Sequence, residues 1–283
     1  MPPPHPEPED IVVLSSERAA LGEGIIATDA GIGWVDIPAA TLWWRPRGGT
    51  PLAHVLDARP SVILEVRDDG ILVGDEEGVA VVDPDGRVTR LATFAERGAD
   101  ERANDGVLLG DGTILLGTMS TVDPGAHPGR LHRLAAGASD LEPVGPPLGI
   151  PNAFIPLDDG TVLVADSHVP ALWRVDPADG TASPHPVDAR LRPGAAPDGG
   201  CRTGDAALLA LWDGWGIAVL DLPAGRVATI HDLPVPRPTN CAVDPVTGRL
   251  VVTTASEGLD AAQLADAPLS GHVLSIAWPP PGS

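Results

Sequence analysis

The stretch "ERANDGVLLGDGTILLGTMS", residues Glu101–Ser120, contains one unit of a pattern that recurs along the whole chain. In its second half, the turn sequence Gly-Asp-Gly-Thr leads into an apolar run that suits a buried strand. In its first half, Arg102, Asn104 and Asp105 crowd together just before the hairpin. A purely structural hairpin does not need these polar side chains, so their presence requires a separate explanation.

Apolar runs of the same kind, each after a turn sequence, begin at six places: Gly31, Gly70, Gly112, Gly160, Asp205 and Gly248. Their spacing is close to the roughly 40–50 residues of a propeller blade, and no stretch has a convincing helical period. The repeat therefore predicts an all-β fold, a six-bladed β-propeller with four antiparallel strands in each blade. Because a closed ring leaves no exposed sheet edge, we expect the first blade to borrow a strand from the other end of the chain.

Composition divides the chain into two parts. Residues 1–10, "MPPPHPEPED", are Pro-rich and acidic and are predicted to form a disordered tail, and residues 11–283 are predicted to form a single propeller domain.

The sequence has no segment that resembles a signal peptide and no apolar run long enough to span a bilayer. Cys201 and Cys241 are too few for a disulfide framework. These features favour a cytoplasmic protein with two free thiols.

The chain is strongly acidic, with a formal net charge of −21. Nucleic acids and anionic membranes both require a basic face, so the charge argues against them as partners. Such acidity commonly serves solubility, and the alternative is that some acidic groups gather around a cation. We expect a small-molecule substrate as the partner and a monomer or weak dimer.

A polar residue occupies the same repeat position in five of the six units. Counting back seven or eight residues from each anchor gives Glu23, Asn104, Asn152, Asp198 and Asn240. Only the second unit departs from this pattern, with Val62. Because the innermost strands of a propeller line its channel, these side chains would meet around the axis. Their oxygens suit Ca²⁺, Mg²⁺ or Mn²⁺, and a cation would offset the cost of burying two carboxylates together.

Several motifs occur in the order found in a known family. They are "LGEG" with Glu23, "WVDI" at Trp34–Ile37, Arg-x-Asn-Asp-Gly at Arg102–Gly106, Gly-Thr-Met at Gly117–Met119, Asn152, "ADS" at Ala165–Ser167, Pro-Asp-Gly at Pro197–Gly199 and "PTNCAVDPVTGRLVVTTA" from Pro238. On these motifs the chain resembles the senescence marker protein / gluconolactonase / luciferin-regenerating enzyme family over nearly its whole length after the tail. The resemblance implies a six-bladed propeller that binds a divalent metal and, in many members, hydrolyses sugar lactones.

The resemblance also assigns roles to individual residues. It implies Glu23, Asn152 and Asp198 as ligands of one divalent metal ion, with Ca²⁺ favoured over Zn²⁺, Mn²⁺ or Mg²⁺. It implies Arg102 and Asn104 as the residues that contact the substrate. The repeat position already singles out the three ligands and Asn104, whereas the role of Arg102 comes from the resemblance.

The sequence departs from the family pattern around these positions. The family usually has a Pro and an aromatic residue after Gly-Glu-Gly, where this chain has "GEGIIATDAG". It usually has Asn-Gly where this chain has Asn152-Ala153. The acidic residue that some members place after Gly-Thr-Met has no clear counterpart, and Asp123 is the nearest acid. We therefore expect the ligands to be retained in an altered pocket.

These features predict a divalent-metal-dependent hydrolase of a sugar lactone or related cyclic ester, with Asp198 as general base. One alternative is a metal-dependent enzyme of the same fold that acts on a phosphoester or a secondary metabolite, and another is a propeller that binds a metal or partner without catalysis.

The sequence has no Gly-x-Ser-x-Gly element, and its histidines are not spaced like the ligands of a zinc site. His168 is interpreted as a loop residue near the mouth, and Trp212 and Trp215 as candidates for a pocket wall.

Overall fold

Short strands joined by tight turns make up almost all of the computed structural model, which describes residues 11–185 and 191–278. The fold is all-β and propeller-like, as predicted. The predicted N-terminal tail, residues 1–10, lies outside the described residues.

The strands have the following bounds. The first nine are β1 (Ile11–Val13), β2 (Gly22–Ala27), β3 (Gly31–Asp36), β4 (Thr41–Pro46), β5 (Leu52–Val55), β6 (Pro60–Arg67), β7 (Gly70–Asp75), β8 (Gly78–Val82) and β9 (Val88–Phe94). The next eight are β10 (Glu101–Leu108), β11 (Ile114–Ser120), β12 (Gly129–Leu134), β13 (Asp140–Leu148), β14 (Pro151–Pro156), β15 (Val162–Asp166), β16 (Ala171–Val175) and β17 (Ala182–Pro184). The last seven are β18 (Ala196–Thr203), β19 (Ala206–Trp212), β20 (Gly216–Asp221), β21 (Arg226–Asp232), β22 (Pro238–Val243), β23 (Leu250–Thr254) and β24 (Leu274–Ile276).

Four of the sheets have four strands each. Three of them are antiparallel meanders, β2–β5, β14–β17 and β18–β21, and the fourth has the order β1-β24-β23-β22. The innermost strands β2, β6, β10, β14, β18 and β22 contact one another in a closed order. The polar positions of the repeat lie on these innermost strands.

The remaining sheet has eight strands, which corrects the prediction of six separate blades. It consists of the meanders β6–β9 and β10–β13, joined where β13 and β9 run parallel and pair Asp140 with Thr93 and Leu141 with Phe94. Backbone amides donate across this seam from Thr93 to Ser139 and from Ala95 to Leu141, each at 3.0 Å. The outer strands of two neighbouring meanders therefore form backbone hydrogen bonds to each other at one end.

The two ends of the chain meet in one sheet. The first strand, β1, pairs antiparallel with β24, with Ile11 opposite Ile276. A strand shared between the two ends of the chain thus closes the ring, as expected. The direction of sharing differs from our expectation, because the last sheet receives β1 and the first sheet, β2–β5, borrows no strand. An ion pair between the first and last sheets adds to this closure. Arg47, which follows β4, donates through Nη1 to Asp244 Oδ2 at 2.8 Å and through Nη2 to Asp244 Oδ1, just after the end of β22.

Apolar side chains fill the space between neighbouring sheets. Leu115 and Leu131 of β10–β13, for example, pack with Phe154 and Val164 of β14–β17. A histidine is fully buried in the eight-stranded sheet: His132 on β12, whose ring meets that of Phe94 edge-on with centroids 4.8 Å apart. This ring contact crosses the seam between the two meanders.

The described part of the chain has one α-helix, α1 (Ala261–Asp266), and no helix long and apolar enough to cross a membrane. The helix begins at Asp260, which forms a capping box with Gln263. Cys201 and Cys241 are both free thiols; Cys241 is buried, as expected for both, whereas Cys201 is half-buried.

Candidate functional site

A cavity of about 360 Å³ opens at the ends of the innermost strands where the polar repeat positions lie. Its lining comprises Leu21, Glu23, Arg102, Asn104, Met119, Ile150, Asn152, Ser167, His168, Ala196, Asp198, Trp212 and Glu257. A larger crevice, of about 760 Å³, lies between the hairpins of the two meanders in the eight-stranded sheet. That crevice is lined mainly by leucines, glycines and alanines, so the smaller cavity is the one where polar groups converge.

The backbone places the polar side chains through irregularities at the same point of the inner strands. The pairing register shifts after Glu23 on β2, after Ala103 on β10, after Asn152 on β14 and after Pro197 on β18. Bulges of this kind bend a strand and redirect its side chains, and they are common beside active sites. The shared repeat position thus corresponds to a shared irregularity of the backbone.

Two of these irregularities include a residue in the left-handed region. Gly24, directly after Glu23, has φ 57°, and Ala153, directly after Asn152, has φ 47°. Glycine adopts this conformation at little cost, whereas alanine does not. Ala153, which stands where the family usually has a glycine, therefore adds backbone strain beside the site.

Asn152 and Asp198 are in direct contact at the cavity. Asn152 Nδ2 donates to Asp198 Oδ1 at 2.6 Å and to Ser167 Oγ at 3.1 Å. Ser167 Oγ in turn donates to the Pro197 carbonyl at 2.6 Å. Asn152 Oδ1 is buried and has no hydrogen-bond partner within the described chain. A buried amide oxygen without a partner is costly, so this atom indicates a missing positive or donating group.

Glu23 is the second buried carboxyl of the site. Burial, and then the charge of Asp105, raise the pKa of Glu23 to about 8. Its Oε2 accepts from Gly24 N at 3.0 Å and from Asn240 Nδ2 at 3.4 Å. Asn240 thus lies beside the site, as the repeat position predicts, although it does not line the cavity.

The pKa of Asp198 is also raised well above its usual value, first by burial and then by the charges of Glu23 and Asp105. Asp105 is a third buried carboxyl, and burial raises its pKa to about 6. Its Oδ1 accepts from Gly106 N at 2.8 Å, and the backbone amides of Ala153 and Phe154 also stabilise its charged form. Asp105 therefore holds two neighbouring strand irregularities in place, while Glu23 and Asp198 line the cavity.

Arg102 brings a positive charge to this acidic group. Its Nη1 donates to the Ala103 carbonyl at 2.8 Å and to Asn104 Oδ1 at 2.9 Å. Asn104 Nδ2 donates to the Pro151 carbonyl of the next inner strand at 3.0 Å. Burial lowers the pKa of Arg102, and the Glu23 carboxylate acts against that shift. Asn104 thus uses both ends of its amide to fix the guanidinium at the cavity.

The donor set fits a hard divalent cation. Glu23, Asp198 and Asn152 offer two carboxylates and an amide oxygen, which are ligand types that Ca²⁺ and Mg²⁺ prefer. Without a bound cation, buried carboxyls that lie close together should have raised pKa values, as Glu23 and Asp198 do. The amide oxygen of such a ligand set should lack a hydrogen-bond partner, as Asn152 Oδ1 does. Within the described residues no group of three or more His, Cys, Asp or Glu side chains is arranged to hold a metal, so the amide would be an essential member of the set.

The pattern of an SMP-30/Gluconolactonase/LRE-like region matches residues 21–256, which include every residue of the cavity except Glu257. The chain belongs to this family. Among its relatives, the L-arabinolactonase of Azospirillum brasilense is 31% identical over 92% of this chain and 89% of the relative. A putative sugar lactone lactonase of Rhizobium meliloti (strain 1021) is 28% identical over 93% of this chain and 92% of the relative.

Solved structures of the family have the same fold. Regucalcin of Agrobacterium tumefaciens, described as a calcium-binding protein, superposes with a TM-score of 0.82 at 23% identity, over 93% of this chain and 92% of its own. A luciferin-regenerating enzyme superposes with a TM-score of 0.81 at 19% identity, over 95% of both chains. At these identities the likeness concerns the fold.

The structure places all five predicted site residues, Glu23, Arg102, Asn104, Asn152 and Asp198, on the lining of one cavity. His168 and Trp212, interpreted from the sequence as a residue near the mouth and a candidate wall, also line it, whereas Trp215 is not among the lining residues. Glu257 also lines the cavity, but it follows the last inner hairpin and corresponds to no repeat position, so no signal in the sequence points to it.

Proposed function

We propose that this protein is a lactonase that hydrolyses the ring ester of a sugar lactone with the help of one divalent metal ion. Two relatives with lactonase names, each aligned over about nine-tenths of this chain, support the reaction class. The observation that supports the metal is the unpartnered Asn152 Oδ1 between buried carboxyls of raised pKa. Glu23, Asn152 and Asp198 would hold the ion, with Ca²⁺ favoured by the all-oxygen donor set.

When bound, a divalent cation supplies the positive charge that polarises the lactone carbonyl, stabilises the developing oxyanion and keeps the neighbouring carboxylates ionised. Asp198 acts as general base on the attacking water. Because Asp198 Oδ1 accepts from Asn152, we assign Oδ2 as the oxygen that takes the proton.

Arg102 binds and orients the substrate. Its guanidinium has five N–H donors, of which Nη1 holds the Ala103 and Asn104 oxygens, and we assign its other donors to substrate oxygens. The contacts of Asn104 refine the role predicted for it, since both ends of its amide already have partners within the chain. We therefore assign Asn104 to positioning Arg102, in addition to any contact with substrate.

The proposal extends to the architecture. We propose that the meanders β6–β9 and β10–β13 are two blades that share a short seam, which gives six blades around the axis. The closed order of the six innermost strands and the antiparallel pairing within each meander support this interpretation.

The test is acid release from a panel of aldonolactones, including L-arabinono-γ-lactone and D-glucono-δ-lactone, after chelation and after return of Ca²⁺, Mn²⁺, Zn²⁺ or Mg²⁺. A phosphoester in the same panel tests the alternative chemistry. We expect at least one lactone to be hydrolysed in a metal-dependent manner. If no lactone is hydrolysed with any of the four ions, the proposed function is wrong.

Two variants separate metal binding from substrate binding. Asp198→Ala removes a charged ligand and should lose both bound metal and activity. Arg102→Ala should keep its metal content and melting temperature but lose about 10- to 100-fold in kcat/KM, since it removes hydrogen bonds from a charged group. Arg226→Ala, at an exposed position on β21, is the control. A parental rate for Arg102→Ala on every active lactone would contradict the substrate-binding role.

A further inference from the structure

The turn that follows β19 is held in a strained conformation beside the cavity. Trp212 ends β19 and lines the cavity, and the chain then turns through Asp213, Gly214 and Trp215. Asp213 and Trp215 both have φ 54°, in the left-handed region that residues with side chains seldom adopt. Such strain persists only where the surroundings determine it, and it is concentrated at functional sites.

Two arginines from other parts of the chain fix this turn. Arg192 Nη1 donates to the Gly214 carbonyl at 2.8 Å and to the Trp215 carbonyl at 3.2 Å. Arg237 Nε donates to Asp213 Oδ1 at 2.7 Å. The backbone adds two further bonds, from Trp215 N to the Pro236 carbonyl at 3.2 Å and from Leu233 N to the Trp215 carbonyl at 2.8 Å. The turn that follows Trp212 is therefore held by five hydrogen bonds that involve other segments of the chain.

Arg237 also supports the indole ring directly. Its guanidinium carbon lies 4.7 Å from the centre of the Trp212 ring, and its side chain is 16% exposed. Arg237 Nη1 donates to the carbonyl of Glu257, another residue of the cavity lining, but Arg237 itself is not part of that lining. The cation thus lies behind the ring, covers one face of it and restricts its rotation.

We propose that Trp212 is a substrate-positioning wall, against which the C–H face of the lactone ring stacks; this inference rests on the proposed function. A sugar ring has C–H groups that carry partial positive charge, and the face of an aromatic ring carries partial negative charge. Arg102, Asn104, Ser167 and His168 on the same lining supply donors and acceptors for hydroxyl groups. A polyhydroxylated lactone fits both the aromatic face of Trp212 and these polar groups, whereas a lactone with a long alkyl chain does not use the polar groups.

A purely structural role for Trp212 would lead to a different environment. Structural tryptophans pack into apolar clusters, as Trp173 of β16 does against a core cluster that includes Leu115 and Val164. Trp212 instead lies between a guanidinium and a cavity whose lining includes Glu23, Asp198 and other polar side chains beside a few apolar ones. The five hydrogen bonds that hold the turn and the cation behind the ring serve to orient this one side chain toward the cavity.

The experiment compares Trp212→Leu, which removes the aromatic face, with Trp212→Phe, which keeps it, and with Trp173→Phe as a control away from the cavity. KM and kcat are measured for two aldonolactones and for a long-chain alkyl lactone, together with metal content. We expect Trp212→Leu to raise KM for the aldonolactones about tenfold and to change kcat and metal content less than about twofold. Trp212→Phe, which keeps an aromatic face, should have a KM close to that of the parent protein. A parental KM for Trp212→Leu would overturn the proposal.

A second measurement does not depend on the folding of Trp212→Leu. Addition of the sugar acid or its lactone should change the tryptophan emission of the parent protein, and this change should be lost in Trp212→Phe. Persistence of the full emission change in Trp212→Phe would overturn the proposal. If the parent hydrolyses no lactone, the proposed function fails on its own, and the emission titration still decides whether a sugar ligand stacks on Trp212.

Discussion

Acid should weaken the protein through one buried histidine at the seam of the eight-stranded sheet. His132 is fully buried, and neither of its ring nitrogens forms a well-aligned hydrogen bond within the described chain. The nearby backbone of Leu141 favours the protonated ring, but this effect is smaller than that of burial. Burial, together with the charge of Arg130, lowers the pKa of His132 from 6.5 to about 4. The folded protein therefore keeps this imidazole neutral at a pH where the unfolded chain would protonate it.

The magnitude follows from that difference. A pKa gap of about 2.5 at 1.36 kcal/mol for each unit corresponds to about 3 kcal/mol. The sign is set by proton uptake: below pH 6.5 the unfolded chain binds more protons than the folded chain, so the free energy of unfolding falls as the pH drops from 6.5 to 4. Above pH 6.5 this residue makes no pH-dependent contribution.

The assay is urea denaturation of the parent and of His132→Leu at pH 7, 6, 5 and 4. Because carboxylates titrate alike in both proteins, the difference between their free energies of unfolding isolates His132. This difference should shift by about 3 kcal/mol in favour of the variant between pH 7 and pH 4. His127→Leu, at an exposed position, should run parallel to the parent at every pH. A difference that stays constant within about 1 kcal/mol would refute the reasoning, because it would mean that burial does not keep this imidazole neutral.

Two further predictions concern the closure of the ring and the inner strands. Although burial acts to raise it, hydrogen bonds from Arg47 and Thr247 lower the pKa of Asp244 to about 2, so Asp244→Asn should cost about 2 kcal/mol at pH 7. This cost should shrink as the pH falls from 4 toward 2, measured by urea denaturation. Gly199→Ala would place a methyl group 2.3 Å from Asn240 Cγ, and we expect it to lower metal affinity at least tenfold. Gly110→Ala, which meets no atom within 4 Å, should bind metal like the parent by calorimetric titration, and equal affinity in both variants would contradict this role of Gly199.

The repeat made the propeller-like fold predictable, because short apolar runs after turn sequences are local features of the sequence. The joining of two meanders was not predictable, because the parallel bonds at Asp140 and Leu141 depend on how two distant outer strands lie in space. The prolines that follow, from Pro143 onward, even argue against β13 as part of a continuous sheet, since proline cannot donate to a neighbouring strand. The seam uses Asp140 and Leu141, which lie before the first of these prolines.

The polar positions of the site were predictable for the same reason as the fold, since they recur in register with it. What could not be predicted is the backbone that orients them. The Asp213-Gly214 pair predicts a turn, but Trp215 gives no sign in the sequence that it adopts a positive φ, and the contacts of Arg192 and Arg237 that hold this turn beside Trp212 come from other segments. Side chains that follow the repeat could thus be assigned from the sequence, whereas those fixed by long-range contacts could not.

The pairing of β1 with β24 has a consequence for how the protein is made. These two strands lie almost a full chain length apart, so their pairing closes the longest loop in the molecule and is the slowest kind of contact to form. During synthesis, the early sheets emerge and fold while the partner of β1 is still inside the ribosome. Glu23 on β2 and Asn240 on β22 also meet only when the two ends of the chain come together. A nascent chain would therefore lack the Asn240 contact to Glu23 until β22 has emerged, and a chain stopped before β24 would lack the strand that pairs with β1.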